Sequence, residues 1–264
     1  MDGSLPFAKL DIAVVGAGVA GLSASWLLSK HHKVTLYEKE HSPGGHSHTI
    51  QLSERDRSIA IDTGFIVYNE QNYPQFTELL RCLKVKTQPT SMSFSYSLSN
   101  SQLEYCGGGL NGLFGQRKNL LNFHFWRLLS DVIRFYREAE RSGLLMPPEV
   151  TVREFLRLQR YSQAFVDMHL IPMISAIWST SGKSALDTPI STVVKFFANH
   201  GLLKLRNRPT WRTVFGGSQV YVWRLLNGTK INLQLGSHIR SISRPGRRII
   251  ITNAHGETRQ HDTL

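Results

Sequence analysis

The sequence predicts an α/β fold that opens with a parallel β–α–β unit. An apolar run over 12–15 leads directly into the glycine-rich stretch 16–21, Gly-Ala-Gly-Val-Ala-Gly. An amphipathic stretch then continues to Ser29, and a second apolar run, 34–37, ends at Glu38. Strand, glycine-rich turn, helix and strand in this order, with an acidic residue about 20 residues after the turn, are typical of a dinucleotide-binding Rossmann unit.

The glycines of this turn have separate physical roles. Gly16 permits a tight turn because a side chain there would block the required backbone angles. Gly18 lets the main chain approach a diphosphate, and Gly21 lets the helix pack closely on the strand. The first N–H groups of the helix lack intrahelical partners and carry partial positive charge, so an anion can bind without a lysine. We therefore predict diphosphate contacts from Gly16, Ala17, Gly18, Ala20 and Gly21.

Glu38 ends the second predicted strand, where a carboxylate can accept hydrogen bonds from ribose hydroxyls. A carboxylate in this place disfavours a 2′-phosphate, so the site is expected to reject NADP. The alternative interpretation is a glycine-rich turn in some other α/β unit. At this point NAD and FAD both remain open.

The segment that follows resembles the extended fingerprint of the FAD-dependent amine oxidase and phytoene desaturase superfamily. The resemblance rests on 34–39, on Gly44-Gly45-His46 and on the acid-x-glycine segment 62–64. In that family the Gly-Gly doublet and the basic residue after it lie against the FAD diphosphate and near the flavin, and many members have arginine where this chain has His46. The resemblance implies FAD contacts from Lys39, Gly44, Gly45, His46 and Gly64. The alternative for His46 and His48 is a pair of solvated loop histidines.

A second half of the same domain is expected near the C-terminus. Residues 213–226 resemble the family's glycine doublet followed by a helix, and 230–235 and 238–242 resemble its next strands. The residue matching Ile239 commonly meets the adenine end of FAD through its backbone. Segments 247–253 and 257–264 predict a further hairpin. The predicted architecture is a discontinuous FAD-binding domain, 8–89 and 206–264, with an inserted α+β substrate or cap domain, 90–205.

The inserted segment has its own local signals. Alternation over 91–98 predicts a strand that pairs with 102–105 across a turn at Asn100-Ser101, and Gly107–Gly109 reads as a loop rather than a second phosphate site. A helix is predicted over 125–140 with its end at Gly143, and its stripe of apolar and aromatic residues is expected to be core: Trp126, Leu129, Val132, Ile133 and Tyr136. A capping box at Thr151 and Glu154 and an apolar helix over 164–178 with a kink or break at Pro172 are also predicted. Outside this segment, strand 58–62 and a helix over 74–83 are predicted. The resemblance implies that the inserted segment forms an apolar substrate pocket.

The formal net charge of +12 is unevenly distributed. Residues 1–150 hold 15 Lys+Arg and 14 Asp+Glu, whereas 151–264 hold 16 and 5. The densest basic cluster is Lys204, Arg206, Arg208 and Arg212. No nucleic-acid motif accompanies it, so we expect no nucleic-acid partner. Three explanations of this basic cluster remain open. It could be a solvated basic face, it could attract an anionic substrate or a lipid headgroup at a membrane surface, or it could contact an acidic partner.

Several functional classes are disfavoured by composition. No apolar run approaches the roughly 20 residues needed to span a bilayer, and the N-terminus lacks the features of a signal peptide. Cys82 and Cys106 have no metal-type spacing, so no metal site is predicted, and a reducing cytoplasmic setting is the default expectation.

The resemblance implies an FAD-dependent oxidoreductase that takes a hydride from a C–H bond of an amine or a lipid-like small molecule. Apolar helices in basic surroundings favour an amphipathic anionic substrate, and no catalytic residue can be named. Relatives continue beyond the point matching Leu264 into a final glycine–acid motif, so the resemblance also implies a C-terminally truncated chain that binds FAD weakly or not at all by itself. The alternatives are a non-catalytic nucleotide-binding remnant or subunit of a split flavoprotein, NAD-dependent hydride transfer without flavin, and a basic surface binder.

Overall fold

The computed structural model describes residues 8–55, 57–98, 103–205 and 207–264. The chain forms two compact units, Met1–Thr90 with Arg212–Leu264, and Ser91–Trp211. We call these the nucleotide unit and the helical unit. Buried apolar residues cluster separately within each of them. The predicted turn at Asn100-Ser101 and the basic residue Arg206 lie outside the described residues.

The secondary structure follows in chain order. Residues 8–90 contain β1 (Asp11–Val15), α1 (Val19–Leu28), β2 (Lys33–Tyr37), β3 (Thr49–Glu54), β4 (Arg57–Asp62), β5 (Tyr68–Asn69), α2 (Pro74–Cys82) and β6 (Thr87–Thr90). Next come β7 (Ser95–Ser97), β8 (Glu104–Cys106), α3 (Leu110–Leu113), a 3-10 helix (Arg117–Leu121), α4 (Phe123–Leu144), α5 (Val152–Leu158), α6 (Gln163–Phe165), a π-helical segment (Val166–Leu170), α7 (Ile171–Trp178), α8 (Gly182–Asp187) and α9 (Ile190–Asn199). The remaining elements are β9 (Trp211–Val214), α10 (Gln219–Leu226), β10 (Ile231–Gln234), β11 (Ile239–Ser243), β12 (Ile249–Asn253) and β13 (Thr258–His261).

The nucleotide unit is built on a parallel sheet of order β1-β2-β10. Strands β1 and β2 pair in parallel, with Ile12 opposite Val34 and Val14 opposite Leu36, and α1 connects them. This confirms the predicted β–α–β unit. Strand β10 adds on the other side of β2, with Leu233 opposite Leu36. Since β2 lies in the middle of the three strands, its side chains Val34 to Tyr37 are all buried.

Further strands of the nucleotide unit are antiparallel. Strand β4 pairs with β3, and β12 pairs with both β11 and β13. The predicted strand over 58–62, the helix over 74–83, the glycine doublet followed by α10, and the C-terminal hairpin are all present. Pro74 occupies the first turn of α2, where its missing N–H costs no hydrogen bond.

The helical unit begins with the predicted hairpin, although its strands are shorter than expected. Strand β7 pairs with β8 antiparallel, with Tyr96 opposite Tyr105. The predicted capping box at the start of α5 is also present, because the Thr151 hydroxyl accepts from the Glu154 N–H while the Glu154 carboxylate accepts from the Thr151 N–H. The glycines 107–109 form the turn between β8 and α3.

Gly143 does not end the long helix, so that prediction was wrong. Helix α4 continues to Leu144, and Gly143 is buried within its last turn. A Cβ on Gly143 would lie 2.7 Å from Cγ2 of Val194 in α9. Glycine is therefore required by the close packing of two helices rather than by helix termination.

The expected interruption at Pro172 takes the form of a local widening rather than a break. The chain stays helical from α6 through α7, and 166–170 adopt π-helical hydrogen bonding. Proline lacks the N–H that would bond the carbonyl of Met168 in a regular α-helix. The hydroxyl of Tyr105 donates to that carbonyl instead, at 2.8 Å. A side chain from β8 thus replaces the missing backbone donor.

Candidate dinucleotide site and a second cavity

The glycine-rich turn shows why two of its glycines are needed. Gly16 has φ +95°, a left-handed conformation that favours glycine, and its N–H donates to the carbonyl of Tyr37 at 2.7 Å. A Cβ on Gly21 would lie 1.9 Å from the carbonyl oxygen of Gly16. Gly16 therefore makes the turn, and Gly21 lets α1 pack directly on it.

Gly18 is different, because nothing in the described protein requires glycine there. It is the N-cap of α1 with φ −72° and ψ 177°, a conformation open to any residue. A Cβ on Gly18 would meet no described heavy atom within 4 Å. The free space in front of this residue is what a closely approaching ligand would need.

The doublet Gly44-Gly45 packs against the same turn. The Gly44 N–H donates to the carbonyl of Ala17 at 2.7 Å. Gly45 has φ +57°, and a Cβ there would lie 3.3 Å from Cα of Gly18. Two glycine-rich segments that are separated in sequence therefore meet at Gly18.

Glu38 is buried and is held by the backbone rather than free in solution. Its carboxylate accepts from the Ala17 N–H at 2.6 Å and from the Glu40 N–H at 3.0 Å. A carboxylate offers about four acceptor positions, so two remain available. The Ala17 N–H, however, already has a partner, whereas the sequence pattern predicted that it would face a diphosphate.

A cavity of about 590 Å³ lies against this turn. The predicted residues that line it are Gly16, Glu38, Lys39, Gly45, His46 and Ile239. Sequence reasoning missed further lining residues, namely Val15, Tyr37, Glu40, Ser237 and His238. Ser237 and His238 could have been predicted from the sequence, because they directly precede Ile239 and follow β10 of the parallel sheet.

Gly64 does not line this cavity, and the other predicted contacts that do not line it are Ala17, Gly18, Ala20, Gly21 and Gly44. A Cβ on Gly64 would lie 2.2 Å from the carbonyl oxygen of His46, and that carbonyl accepts from the Phe65 N–H at 2.7 Å. Nearby, Asp62 accepts from the Ser218 N–H at 2.8 Å and from the Thr49 hydroxyl at 2.6 Å. The acid-x-glycine segment therefore holds the His46 loop and the start of α10 in place.

A second cavity, of about 410 Å³, lies within the helical unit. Its wall is mainly apolar, and its polar side chains include Tyr105, Tyr136, His169 and Arg208. Apolar members of the wall include Phe94, Leu129, Val132, Ile133, Met173 and Leu202. The apolar pocket implied by the family resemblance is thus present in this segment.

The stripe of α4 that was expected to be core does not form the core, which corrects the sequence-based interpretation; a neighbouring face of the helix does, and Trp126 of the stripe is half exposed. Phe125, Leu128 and Phe135 are fully buried in the core of the helical unit. Leu129, Val132, Ile133 and Tyr136 instead line the cavity. The helix is apolar on two adjacent faces, and periodicity alone could not separate them.

A chain of hydrogen bonds crosses the wall of this second cavity. The single hydroxyl proton of Tyr105 goes to the Met168 carbonyl, so Tyr105 must accept from His169 Nδ1, at 3.0 Å. His169 Nε2 is then unprotonated and accepts from the Tyr136 hydroxyl at 3.2 Å. Burial lowers the pKa of His169 to about 4, and burial raises the pKa values of Tyr105 and Tyr136. The three groups therefore form a neutral polar cluster.

The members of the predicted basic cluster make different contacts. Arg208 is exposed, donates to the Lys204 carbonyl at 2.6 Å and lines the second cavity. Arg212 belongs to the nucleotide unit, where it donates to the Thr87 hydroxyl at 2.9 Å and lies 3.5 Å from Glu70. Among the described residues, no helix has both the length and the apolar character to cross a membrane.

Comparison with known proteins supports the fold at two levels. Residues 14–83 match the family model of an NAD(P)-binding Rossmann-like domain. No curated protein matches the chain by sequence.

Solved structures match almost the whole chain. A CLA-producing fatty acid isomerase from P. acnes has 17% identity and a TM-score of 0.63, covering 96% of this chain and 57% of its own. A candidate protoporphyrinogen oxidase from Exiguobacterium sp. has 18% identity and a TM-score of 0.62, covering 98% and 59%. A putrescine oxidase bound to putrescine has 19% identity and a TM-score of 0.61, covering 97% and 57%. The chain thus has the fold of these proteins and spans less than two thirds of their length.

Proposed function

We propose that the chain is an FAD-dependent oxidoreductase that binds FAD in the cavity of the nucleotide unit. The observation that carries this proposal is the meeting of four sequence-distant segments at one cavity: the glycine-rich turn, the end of β2, the Gly45-His46 loop and the start of β11. The open space at Gly18 supports it, because a side chain there would meet no described atom, so packing does not require glycine at this position.

Each predicted contact has a proposed role toward FAD. The backbone of the turn, at Gly16 and Gly18, and the first N–H groups of α1, from Ala20 and Gly21, would face the diphosphate together with Gly44 and Gly45. Ala17 would contribute through the position of its backbone, because its N–H is bonded to Glu38. Glu38 would accept from the ribose hydroxyls through its free acceptor positions, and Ile239 would meet the adenine end.

The remaining predicted contacts are two residues of the exposed loop after β2, and one glycine that packs against this loop. Lys39 and His46 line the cavity; Lys39 would add positive charge near the diphosphate, and His46 would offer a ring nitrogen for hydrogen bonding. Gly64 would act by fixing the His46 carbonyl. When bound, FAD would supply a hydride acceptor, while the protein supplies position, electrostatics and exclusion of water.

The cavity of the helical unit is the proposed place for the apolar body of the substrate. Its apolar wall favours a lipid-like chain, and Arg208 favours an anionic end. The neutral Tyr136–His169 pair offers a hydrogen-bonding group without charge. An amphipathic anion therefore suits this cavity better than a cationic amine.

Reduction of bound flavin by matched substrates tests this proposal. We expect oleate to bleach the oxidised flavin absorbance under anaerobic conditions faster than oleylamine, which has the same chain with an amine end. Arg208→Gln should raise the KM for oleate by about tenfold, because a charge-assisted contact is lost. Lys195→Gln, an exposed lysine on α9, is the matched control and should change neither value. Faster reduction by the amine, or an unchanged KM in Arg208→Gln, would refute the anionic substrate.

A further inference from the structure

The helical unit exposes a group of large apolar side chains around the start of α4. Leu121 and Phe123 are 94% and 78% exposed, and Leu120 and Trp126 are 47% and 48% exposed. Leu110, in α3, is 75% exposed and shares a surface cavity with Trp126. We call these five residues the apolar patch. Contiguous exposed apolar side chains of this size mark an interaction site.

The patch is presented by a fixed backbone. Asn119 is fully buried and donates from Nδ2 to the Glu104 carbonyl at 3.4 Å. Asn122 caps α4, accepting from the His124 N–H at 3.0 Å and from the Phe125 N–H at 3.3 Å. Trp126 Nε1 donates to the Leu120 carbonyl at 2.9 Å. Because the polar side chains are committed to the protein, Leu121 and Phe123 are held outward.

Basic residues flank the patch. Arg117 and Lys118 lie exposed on the 3-10 helix, and Arg127 follows Trp126. Arg127 lies 3.6 Å from the buried carboxylate of Asp131. Between Glu104 and Asp131 the sequence contains no acidic residue at all. Glu104, Asp131 and Glu138 also lie near the patch, against Arg117, Lys118, Arg127, Arg134 and Arg137, so the net charge around it is positive.

We propose that the apolar patch docks on the surface of an anionic lipid bilayer. Leucine, phenylalanine and tryptophan side chains enter the boundary between headgroups and acyl chains, while basic residues at the rim contact anionic headgroups. Tryptophan suits this depth because its ring is apolar and its N–H is polar. The positive rim is the observation that selects a bilayer over a second copy of this chain, which would bring the same positive charges together. This contact does not depend on the proposed cofactor or substrate.

Vesicle co-sedimentation of the purified chain tests the proposal. We expect sedimentation with vesicles of equal parts phosphatidylcholine and phosphatidylglycerol, and much less with phosphatidylcholine alone. The double variant Leu121→Glu/Phe123→Glu should lose more than about tenfold in affinity, because two apolar side chains no longer enter the bilayer. Arg117→Gln/Lys118→Gln should remove the preference for anionic vesicles. Binding should weaken between about 0.1 M and about 1 M salt as the charges are screened.

Leu145→Glu provides the matched control. Leu145 is 82% exposed at the C-cap of α4, so its substitution adds one negative charge away from the patch, as each substitution of the double variant does within it. We expect unchanged vesicle binding. Equal losses in Leu145→Glu and in the double variant would overturn the proposal, and so would no binding by the unmodified chain. A dimer in light scattering that the double variant dissociates, without vesicle binding, would assign the patch to a second copy instead.

Discussion

Gly18 and Gly21 lie in the same turn, yet packing within the protein requires glycine only at Gly21. A Cβ on Gly21 would collide with the Gly16 carbonyl oxygen, whereas a Cβ on Gly18 would meet open space. The sequence pattern predicted both roles, because close helix packing and close ligand approach belong to the known chemistry of this turn.

Paired substitutions separate these roles. Gly18→Thr should leave the melting temperature nearly unchanged, since threonine and glycine are similar as N-caps, but should remove stabilisation by added FAD. Gly21→Ala should lower the stability of the chain without ligand, because α1 must move away from the turn. Thermal unfolding with and without FAD measures both effects. Leu27→Ala, on the exposed face of α1, is the control and should show neither effect. A Gly18→Thr protein that FAD stabilises normally would contradict the role given to Gly18.

His169 makes stability depend on pH. Burial lowers its pKa to about 4, below the usual 6.5. Between these values an unfolded chain takes up a proton that the folded protein does not, so the free energy of unfolding falls as pH falls. The loss should be about 2 kcal/mol between about pH 7 and about pH 5 and should stop once the folded pKa is passed. Urea unfolding at both pH values, compared with His169→Gln, measures this contribution. An equal pH dependence in the variant would contradict it.

Among the helices and strands, features that depend on neighbouring residues were predicted correctly. Features that depend on packing between distant elements were not. The capping box at Thr151 and Glu154 depends on four neighbouring residues, so the sequence contains all of it. The role of Gly143 depends on Val194, a contact between two distant helices, and the sequence pattern therefore suggested a helix end instead. Strand β3 was not predicted, although Ile50 and Leu52 alternate with polar residues, and both side chains remain exposed.

The π-helical segment predicts an energetic coupling between Tyr105 and Pro172. Tyr105→Phe leaves the part-buried Met168 carbonyl without this donor and the buried His169 N–H without its acceptor, and should cost about 1–3 kcal/mol of unfolding free energy. In a Pro172→Ala background the restored backbone N–H can reach that carbonyl, so the same substitution should cost less. A double-mutant cycle by urea unfolding measures the difference, expected to be at least about 0.5 kcal/mol.

Tyr96→Phe, on the paired strand of the hairpin, is the control for this cycle. Its hydroxyl does not belong to the hydrogen-bond chain through His169, so its cost should be the same with Pro172 and with alanine there. Strict additivity of Tyr105→Phe and Pro172→Ala would show that the hydroxyl does not replace the missing donor.

For the whole molecule, the sequence identified the short motifs of the candidate site better than the other residues that line the two cavities. The glycine-rich turn, Glu38 and Gly44-Gly45 are recognisable because each is a short motif with one chemical purpose. Tyr37 lines the cavity as the neighbour of Glu38 at the end of β2, whereas Ser237 and His238 follow β10, whose pairing with β2 is not encoded by a local pattern. The cavity of the helical unit similarly combines α4 with residues from β8, the π-helical segment and Arg208, and periodicity assigned its α4 wall to the core.

Direct titration of the purified chain with FAD, monitored by quenching of flavin fluorescence, tests the central claim. We predict saturable binding of FAD, little competition from NADP because the proposed ribose contact of Glu38 disfavours a 2′-phosphate, and loss of binding in Gly18→Thr. The same titration decides between this prediction and the sequence-based expectation that the chain alone binds FAD weakly or not at all. No saturation with FAD, or binding that NADP displaces as readily as FAD itself, would contradict the assignment of an FAD site.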